Sequence, residues 1–335
     1  MKRNYGISIL RVLLAFGVVG GHFSKVGVPF NILSPMAVPC FMTLAFIFFS
    51  RHLENKSTGY LKIRIERLLV PYIIWPVVYL FVYSAVYTIL HVNFIPEFID
   101  WKSSLFLQLI FGHSILTVLW FHWCLILLTL FVYYVSYIPK ILLIILGVIV
   151  IVLSLFLQYS GLNNIFADMR FELKYPLGRF IEMLPYCVIG CFLGNLKKED
   201  SEESVKRNAI ISLASLVVFC LLQFPSEIHL NSNYEYAGIL LLLKSVSFMG
   251  IFWFLPINGL LQKHPKLLAF VEKATRYTMG VYCLHFLVGN FVTRVIDFDI
   301  IKCIIIYVVC YCISCCMDLV NSKFFNKSWI NNLYN

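Results

Sequence analysis

Three observations predict an all-α polytopic membrane protein with about ten transmembrane helices. First, 60% of the 335 residues are hydrophobic and only 13% are charged, which is about half the charged share of a soluble domain. Second, the hydrophobic residues come in long runs, and a helix needs about 20 apolar residues to cross the hydrocarbon. Third, the basic residues are divided unequally between the segments that join these runs.

The ten predicted spans follow the apolar runs in order: 7–23, 33–50, 69–90, 120–137, 141–159, 178–196, 209–224, 236–255, 278–296 and 300–320. The first run follows two basic residues, as a signal peptide does. However, Arg11 interrupts it and no small-residue cleavage site follows Gly21, so we expect a retained helix. The stretch 104–118 is apolar but short. It is an interfacial helix, a re-entrant helix or an eleventh span, and an eleventh span would invert every later helix.

The distribution of Lys and Arg predicts the orientation. With the N-terminus in the cytoplasm, 18 of the 27 basic residues fall in cytoplasmic segments, and only Lys25, Lys102, Arg170 and Lys174 fall in outer ones. We therefore expect a plasma-membrane protein with both termini cytoplasmic. Most of the net charge of +10 follows from this topology, so anionic lipids are the expected partner and nucleic acid is not.

The longest hydrophilic stretch is 197–207, which has the mixed charge of a solvated linker. No soluble domain is predicted at either end. We therefore expect a single integral-membrane domain over 1–335.

Most of the eleven cysteines lie inside apolar runs, as in CIIIYVVCYCISCC at 303–316. A thiol packs between helices as a small hydrophobe. Cys312 and Cys315 form one C-x-x-C. A zinc site would usually need paired histidines or a second C-x-x-C nearby, so no metal site is predicted.

Ionisable residues inside predicted spans are costly unless they have a partner or a function. Six stand out: Arg11, His22, Arg179, Glu182, Lys244 and His285. Arg179 and Glu182 share a helix face at i,i+3, where a structural ion pair and a substrate contact are equally plausible. Lys244 fits either a partner on another helix or a residue of a substrate path.

Arg11 and His22 lie eleven residues apart on the first predicted helix. Eleven residues at a rise of about 1.5 Å each separate them by about 16 Å along the helix. A rotation of about 100° per residue brings the two side chains to nearly the same face. Arg11 falls in the inner half and His22 at the outer end. The pair is typical of two polar side chains that line one path across the membrane.

Such a path suits acyl transfer across a membrane. A histidine with a near-neutral pKa takes a proton from an attacking hydroxyl, and fixed cations bind the phosphates of a cytoplasmic thioester donor. Lys62, Arg64 and Arg67 precede the third span on the inner side. On their own, these three residues would follow from the positive-inside rule.

The order of the motifs resembles the membrane acyltransferase-3 family. Arg11 and His22 match its Arg-x10-His pattern, and IRIERLLVPYIIW at 63–75 resembles its basic cluster before R-L-x-x-P-Y. Three later segments resemble its other motifs: VLWFHWCLI at 118–126, LPYCVIGCFLG at 184–194 and TMGVYCLHFLV at 278–288. The similarity runs from residue 7 to about 290.

The resemblance implies an O-acyltransferase that moves acyl groups, usually acetyl, from acyl-CoA to hydroxyls of surface or lipid-linked glycans. Acyl-CoA would be a substrate rather than a bound cofactor, and glycan-assembly proteins are possible partners. The resemblance makes His22 the catalytic histidine and Arg11 its partner. It assigns Lys62, Arg64 and Arg67 to the donor, and we expect Arg179 and His285 at the donor end as well.

The chain departs from the family at two positions. Ser8 stands where the family often has an acidic residue, so Glu182 is the candidate carboxylate for Arg11 or His22. Lys62 stands where an arginine is usual, which keeps the charge but loses bidentate phosphate binding.

Two other functions fit the same polar path. A transporter or flippase of a lipid-linked or acylated molecule needs the buried charges but no base at the outer end. A scaffold subunit of a glycan-assembly complex leaves those charges unexplained.

Overall fold

The computed structural model describes residues 4–24, 28–53, 58–90, 119–159, 171–195, 202–223, 238–325 and 327–333. Every regular element in these ranges is a helix, and the described residues contain no strand. The all-α prediction is confirmed. The stretch 104–118 lies outside the described residues.

Thirteen α-helices and one π-helical turn are described: α1 Tyr5–Phe23, α2 Val28–Leu53, α3 Thr58–Leu90, α4 Trp120–Val135, α5 Lys140–Tyr159, α6 Phe171–Asn195, α7 Glu202–Leu221, α8 Ile239–Trp253, α9 Asn258–Lys263, α10 Pro265–Arg276, α11 Thr278–Val292, α12 Asp299–Val320, the π turn Asn321–Phe325 and α13 Ser328–Asn331.

Each of the ten predicted spans overlaps one of these helices. By length and composition, six stretches are able to cross a membrane: Tyr5–Phe23, Ile32–Leu53, Gly59–Ile89, Pro176–Gly194, Ile239–Lys263 and Asp299–Phe325. Three shorter apolar helices are Trp120–Val135, Ile141–Leu157 and Thr278–Val292, and α7 is in neither group. The chain is thus a polytopic membrane protein, and the count of ten stays a prediction.

The outer faces of several helices are apolar and exposed. Phe81 of α3, Phe156 of α5 and Ile210 of α7 are each more than 60% exposed. Exposed apolar surface on this scale is unusual for a soluble monomer, and it suits contact with lipid tails.

Helices α2 and α6 pack closely through small residues. Gly190 and Gly194 are one turn apart on α6, and a Cβ on either would overlap α2 near Thr43, Ile47 or Ser50. Small residues at this spacing let two membrane helices approach, which increases their van der Waals contact.

The N-terminus of helix α1 is anchored to the end of α8. The Asn4 side chain caps it by accepting from the backbone N–H groups of Gly6 and Ile7, and its Nδ2 donates to the Trp253 carbonyl at 2.9 Å. From this start α1 packs against α2, α8, α10, α11 and α12. Both residues of the Arg-x10-His pattern are therefore carried on an anchored helix.

Candidate active site

The first end of the candidate site is a contact between Arg11 and the start of α11. Arg11 is half-buried, and its Nη2 donates to Thr278 Oγ1 at 3.0 Å. Thr278 in turn donates to the Thr275 carbonyl at 3.1 Å. The guanidinium is therefore held where α1 meets the junction of α10 and α11.

A pocket of about 570 Å³ opens beside Arg11, and we call it the basic pocket. Its lining includes Arg11 from α1 together with Glu272, Lys273, Thr275, Arg276 and Tyr277. Three of these side chains are cations and one is a carboxylate. The Glu272 carboxylate accepts a hydrogen bond from the Tyr5 hydroxyl at 3.1 Å, which ties α10 to α1.

Asp318 of α12 supports one wall of the basic pocket. Arg276 Nη2 lies 3.1 Å from its carboxylate, and the Tyr277 hydroxyl donates to it at 2.7 Å. Burial, followed by this hydrogen bond to the carboxylate, raises the pKa of the Tyr277 hydroxyl. Tyr277 therefore remains a protonated donor at neutral pH.

The other end of the site is a pair of histidines. The rings of His22 and His285 are stacked, with centroids 5.2 Å apart and planes 29° from parallel. His22 is exposed, whereas His285 is fully buried. The Phe286 ring lies 4.6 Å from the His22 ring, so one side of His22 is covered by an apolar group.

Helices α1 and α11 run side by side in the same direction. They touch at Arg11 and Thr278 near one end, and a Cβ on Gly289 would overlap the Phe23 ring near the other. The absence of a side chain at Gly289 thus makes room for the aromatic cluster around the histidines.

This parallel packing changes the expected place of His285. From the sequence we expected it at the donor end. Its ring instead contacts His22. The helix rise puts His285 about 10 Å beyond Thr278 and His22 about 16 Å beyond Arg11, and two side chains readily cover the remaining difference of about 6 Å.

The hydrogen bond of His285 indicates its tautomer. Nδ1 lies 2.6 Å from the Tyr282 carbonyl, which only accepts, so Nδ1 carries the proton. Nε2 then holds a lone pair. It is buried and has no hydrogen-bond partner among the described residues.

A third histidine lies behind this pair. The Tyr282 ring is 5.9 Å from the His285 ring and 5.8 Å from the ring of buried His122. Neither nitrogen of His122 has a hydrogen-bond partner within the described part of the chain. Successive ring contacts thus connect the exposed His22 to the buried His122 through His285 and Tyr282.

Glu182 and Arg179 form an ion pair, one of the two alternatives that their spacing left open. Arg179 Nη1 donates to Glu182 Oε2 at 3.0 Å, and the carboxylate is fully buried. The guanidinium also lies 5.3 Å from the Trp120 ring of α4. That Glu182 is the carboxylate partner of Arg11 or His22 stays a prediction. That Arg179 contacts the donor stays a prediction as well.

The expected donor cluster on α3 is divided between the interior and the surface. Arg64 donates to Thr129 Oγ1 at 3.3 Å and to the Ala45 carbonyl at 3.2 Å, and lies over the Phe49 ring at 4.7 Å. Lys62 and Arg67 are exposed. These contacts join α3 to α2 and α4, so Arg64 has a structural role that the basic pattern did not reveal.

Sequence reasoning missed the basic pocket and the histidine stack. Lys273 and Arg276 follow the positive-inside pattern and carry no further signal in the sequence. Their i,i+3 spacing just before a span was the only hint that both sit beside Arg11. Lys244, which the sequence singled out, is half-buried.

The described residues hold no group of three or more His, Cys, Asp or Glu side chains that could bind a metal ion. All eleven cysteines are free thiols, and six of them are buried.

Comparison with protein-family models identifies the family. The family model of an acyltransferase domain, the acyltransferase-3 family, matches residues 4–318. No curated protein and no solved structure matches the chain at a significant level.

Proposed function

The chain belongs to the membrane acyltransferase-3 family, and from this premise we propose that it moves an acetyl group from acyl-CoA to a hydroxyl of a cell-surface or lipid-linked glycan. The chain is a membrane acyltransferase by its family. We place it in the plasma membrane with both termini in the cytoplasm, so that the Arg11 end of α1 is the donor end.

One observation carries the proposal: the same two helices hold a cation at one end and an exposed histidine at the other. Arg11 is fixed by Thr278, and His22 is stacked on His285. Both contacts join α1 to α11, so their separation of about 16 Å along α1 is set by two packed helices.

The proposed reaction is a direct transfer. The acceptor hydroxyl oxygen attacks the thioester carbonyl carbon while His22 takes the hydroxyl proton. The C–S bond then breaks, the thiolate leaves, and the proton held by His22 returns to solvent or to the thiolate. An ester bond replaces the thioester bond, and free CoA is the second product.

His22 is the better candidate for the base because it is exposed to an acceptor, whereas His285 is buried behind it. His285 is the second candidate, since its ring stacks on His22 and its Nε2 has no hydrogen-bond partner among the described residues. We propose that His285 orients the His22 ring by stacking and that His22 exchanges the proton.

The other predicted donor residues divide into two groups. Lys62 and Arg67 are exposed and accessible to an anion. Arg64, Arg179 and Glu182 are committed to contacts inside the protein. We therefore propose Lys62 and Arg67 as cations that attract the donor, and Arg64, Arg179 and Glu182 as residues that hold the helices around its path.

The test is acyl transfer by the purified chain in nanodiscs, with labelled acetyl-CoA and a panel of glycan acceptors. Base-labile label on a glycan is expected with the parent chain and absent with His22→Gln. In proteoliposomes of the same chain, a glycan that crosses the membrane unacylated, with or without His22→Gln, would contradict the proposal and support a transporter.

A further inference from the structure

We propose that the basic pocket, and not the cation segment of α3, binds the phosphate groups of the thioester donor. This inference rests on the proposed function and names the donor's anchoring site. Two cations of the basic pocket, Lys273 and Arg276, lie on α10, far in sequence from both Arg11 and the segment 62–67 of α3.

The charge of the basic pocket fits a polyphosphate. Arg11, Lys273 and Arg276 face one volume that holds a single carboxylate, Glu272. Arginine and lysine side chains are the usual protein ligands of phosphate oxygens. Arg276 is about half exposed despite its ion pair with Asp318, so it retains donors for a ligand.

The basic pocket also has the size and access that such a ligand needs. Its volume of about 570 Å³ lies within the usual range of small-molecule sites. Lys273 is exposed at its rim, and the described residues offer it no ion pair. By contrast, Lys62 and Arg67 of α3 line neither this pocket nor the other described one.

The length of the donor matches the distance between the two ends of the site. The pantetheine arm from the pyrophosphate to the sulfur has about twelve chain bonds, as many as four extended residues, and so reaches about 14 Å. Arg11 and His22 are about 16 Å apart along α1. A donor held by its phosphates beside Arg11 would therefore bring its thioester close to His22.

A lipid headgroup offers the same phosphate chemistry. Leu267 and Phe270 are exposed on α10, the helix that carries Lys273 and Arg276. An anionic lipid beside this helix would present its phosphate to the same cations. The experiment must therefore compare the donor with the lipid as the source of the phosphate.

The experiment measures binding of CoA, dephospho-CoA and pantetheine to the full chain in phosphatidylcholine nanodiscs. Lys273→Gln is expected to weaken CoA binding about tenfold, the scale of one charge-assisted hydrogen bond. Pantetheine lacks the phosphates, so its binding should not change. Lys266→Gln is the matched control, because Lys266 is an exposed lysine of α10 that does not line the pocket.

Arg276→Gln is a second variant with the same expected direction, and thermal unfolding of each variant checks that the loss of Asp318 pairing has not unfolded the chain. A charge reversal, Lys273→Glu, should weaken CoA binding further than Lys273→Gln.

The possible outcomes distinguish failure of the basic pocket as the donor site from failure of the proposed function. CoA affinity that is unchanged in Lys273→Gln and Lys273→Glu, with the parent binding CoA, overturns the pocket and leaves the proposed function standing. No CoA binding by the parent chain overturns both. The last measurement is the amount of phosphatidylglycerol that each chain binds in nanodiscs containing this lipid. If the variants bind less of it than the parent but bind CoA equally well, the pocket binds a lipid and the proposal is overturned.

Discussion

The two ends of α1 hold polar side chains in opposite ways. At the first end, Arg11 is hydrogen-bonded to Thr278 and faces an open pocket with two further cations. At the other end, His22 is held by ring contacts with His285 and Phe286. The cationic pocket suits an anionic ligand, whereas the ring contacts hold an exposed histidine in a fixed position. This contrast fits donor binding at the Arg11 end of α1 and proton transfer at its His22 end.

The histidine end should give the largest effect. His22→Gln keeps polarity and approximate shape but cannot cycle a proton, so the transfer rate is expected to fall about 10²–10⁴-fold. Donor binding at the Arg11 end should be unchanged. The measurement is single-turnover transfer from labelled acetyl-CoA alongside equilibrium CoA binding.

His52→Gln is the control for this variant, because His52 is also exposed and its ring also stacks on a neighbouring helix, at Tyr60 of α3, but outside the candidate site. Retention of most activity in His22→Gln, combined with loss in His285→Gln, would move the base to His285 and remove the functional division between the two histidines.

Arg64 of α3 should affect folding more than donor binding. Arg64→Gln removes two hydrogen bonds and a contact with Phe49, which is expected to cost about 1.5–3 kcal/mol of stability. The measurement is thermal unfolding in detergent, with Arg67→Gln as the exposed comparison. Equal stability of the two variants together with weaker donor binding by Arg64→Gln would return Arg64 to the donor site.

The hydrogen bond at the Arg11 end should give a smaller effect. Thr278→Val removes the acceptor of Arg11 while keeping the shape of the side chain, so donor affinity is expected to fall by about 1.5 kcal/mol, or about tenfold. The measurement is the donor KM, with kcat nearly unchanged.

The matched control for Thr278→Val is Thr293→Val, whose hydroxyl donates to the Gly289 carbonyl within its own helix. A fall in kcat without a change in KM would show that Arg11 acts on the reacting atoms rather than on the bound donor.

Topology reporters test which end faces the cytoplasm without an energetic effect on the chain. Fusions after Lys102 and Glu227 are expected to be extracytoplasmic, because the basic residues concentrate in the other segments. Accessibility of each fusion to a membrane-impermeant reagent is the measurement. A cytoplasmic signal at Glu227 alone would mean that 104–118 spans the membrane.

Local patterns were sufficient to predict some contacts. The i,i+3 spacing put Arg179 and Glu182 on one helix face, where an ion pair was one of two alternatives, and the structure has the ion pair. The helical class follows from long apolar runs for a similar reason, since a backbone in lipid must satisfy its hydrogen bonds within the segment.

Contacts between helices were not predictable in this way. Arg64 and Arg67 read as equivalent members of a basic cluster, yet one packs between helices and the other is exposed. The difference depends on which face of α3 meets α2 and α4. No periodic signal in the residues around Arg64 specifies that face.

The sequence by itself determined the helical membrane class, the family motifs and the pairing of Arg11 and His22 on one helix face, because each depends on composition or on spacing within one segment. Only the tertiary structure decided that His285 stacks on His22 and that Lys273 and Arg276 join Arg11 around one pocket. Those residues are more than 250 positions apart in the chain. Their meeting depends on the parallel packing of α1 and α11, and helix packing in a membrane is set by side-chain fit between helices rather than by hydrophobicity.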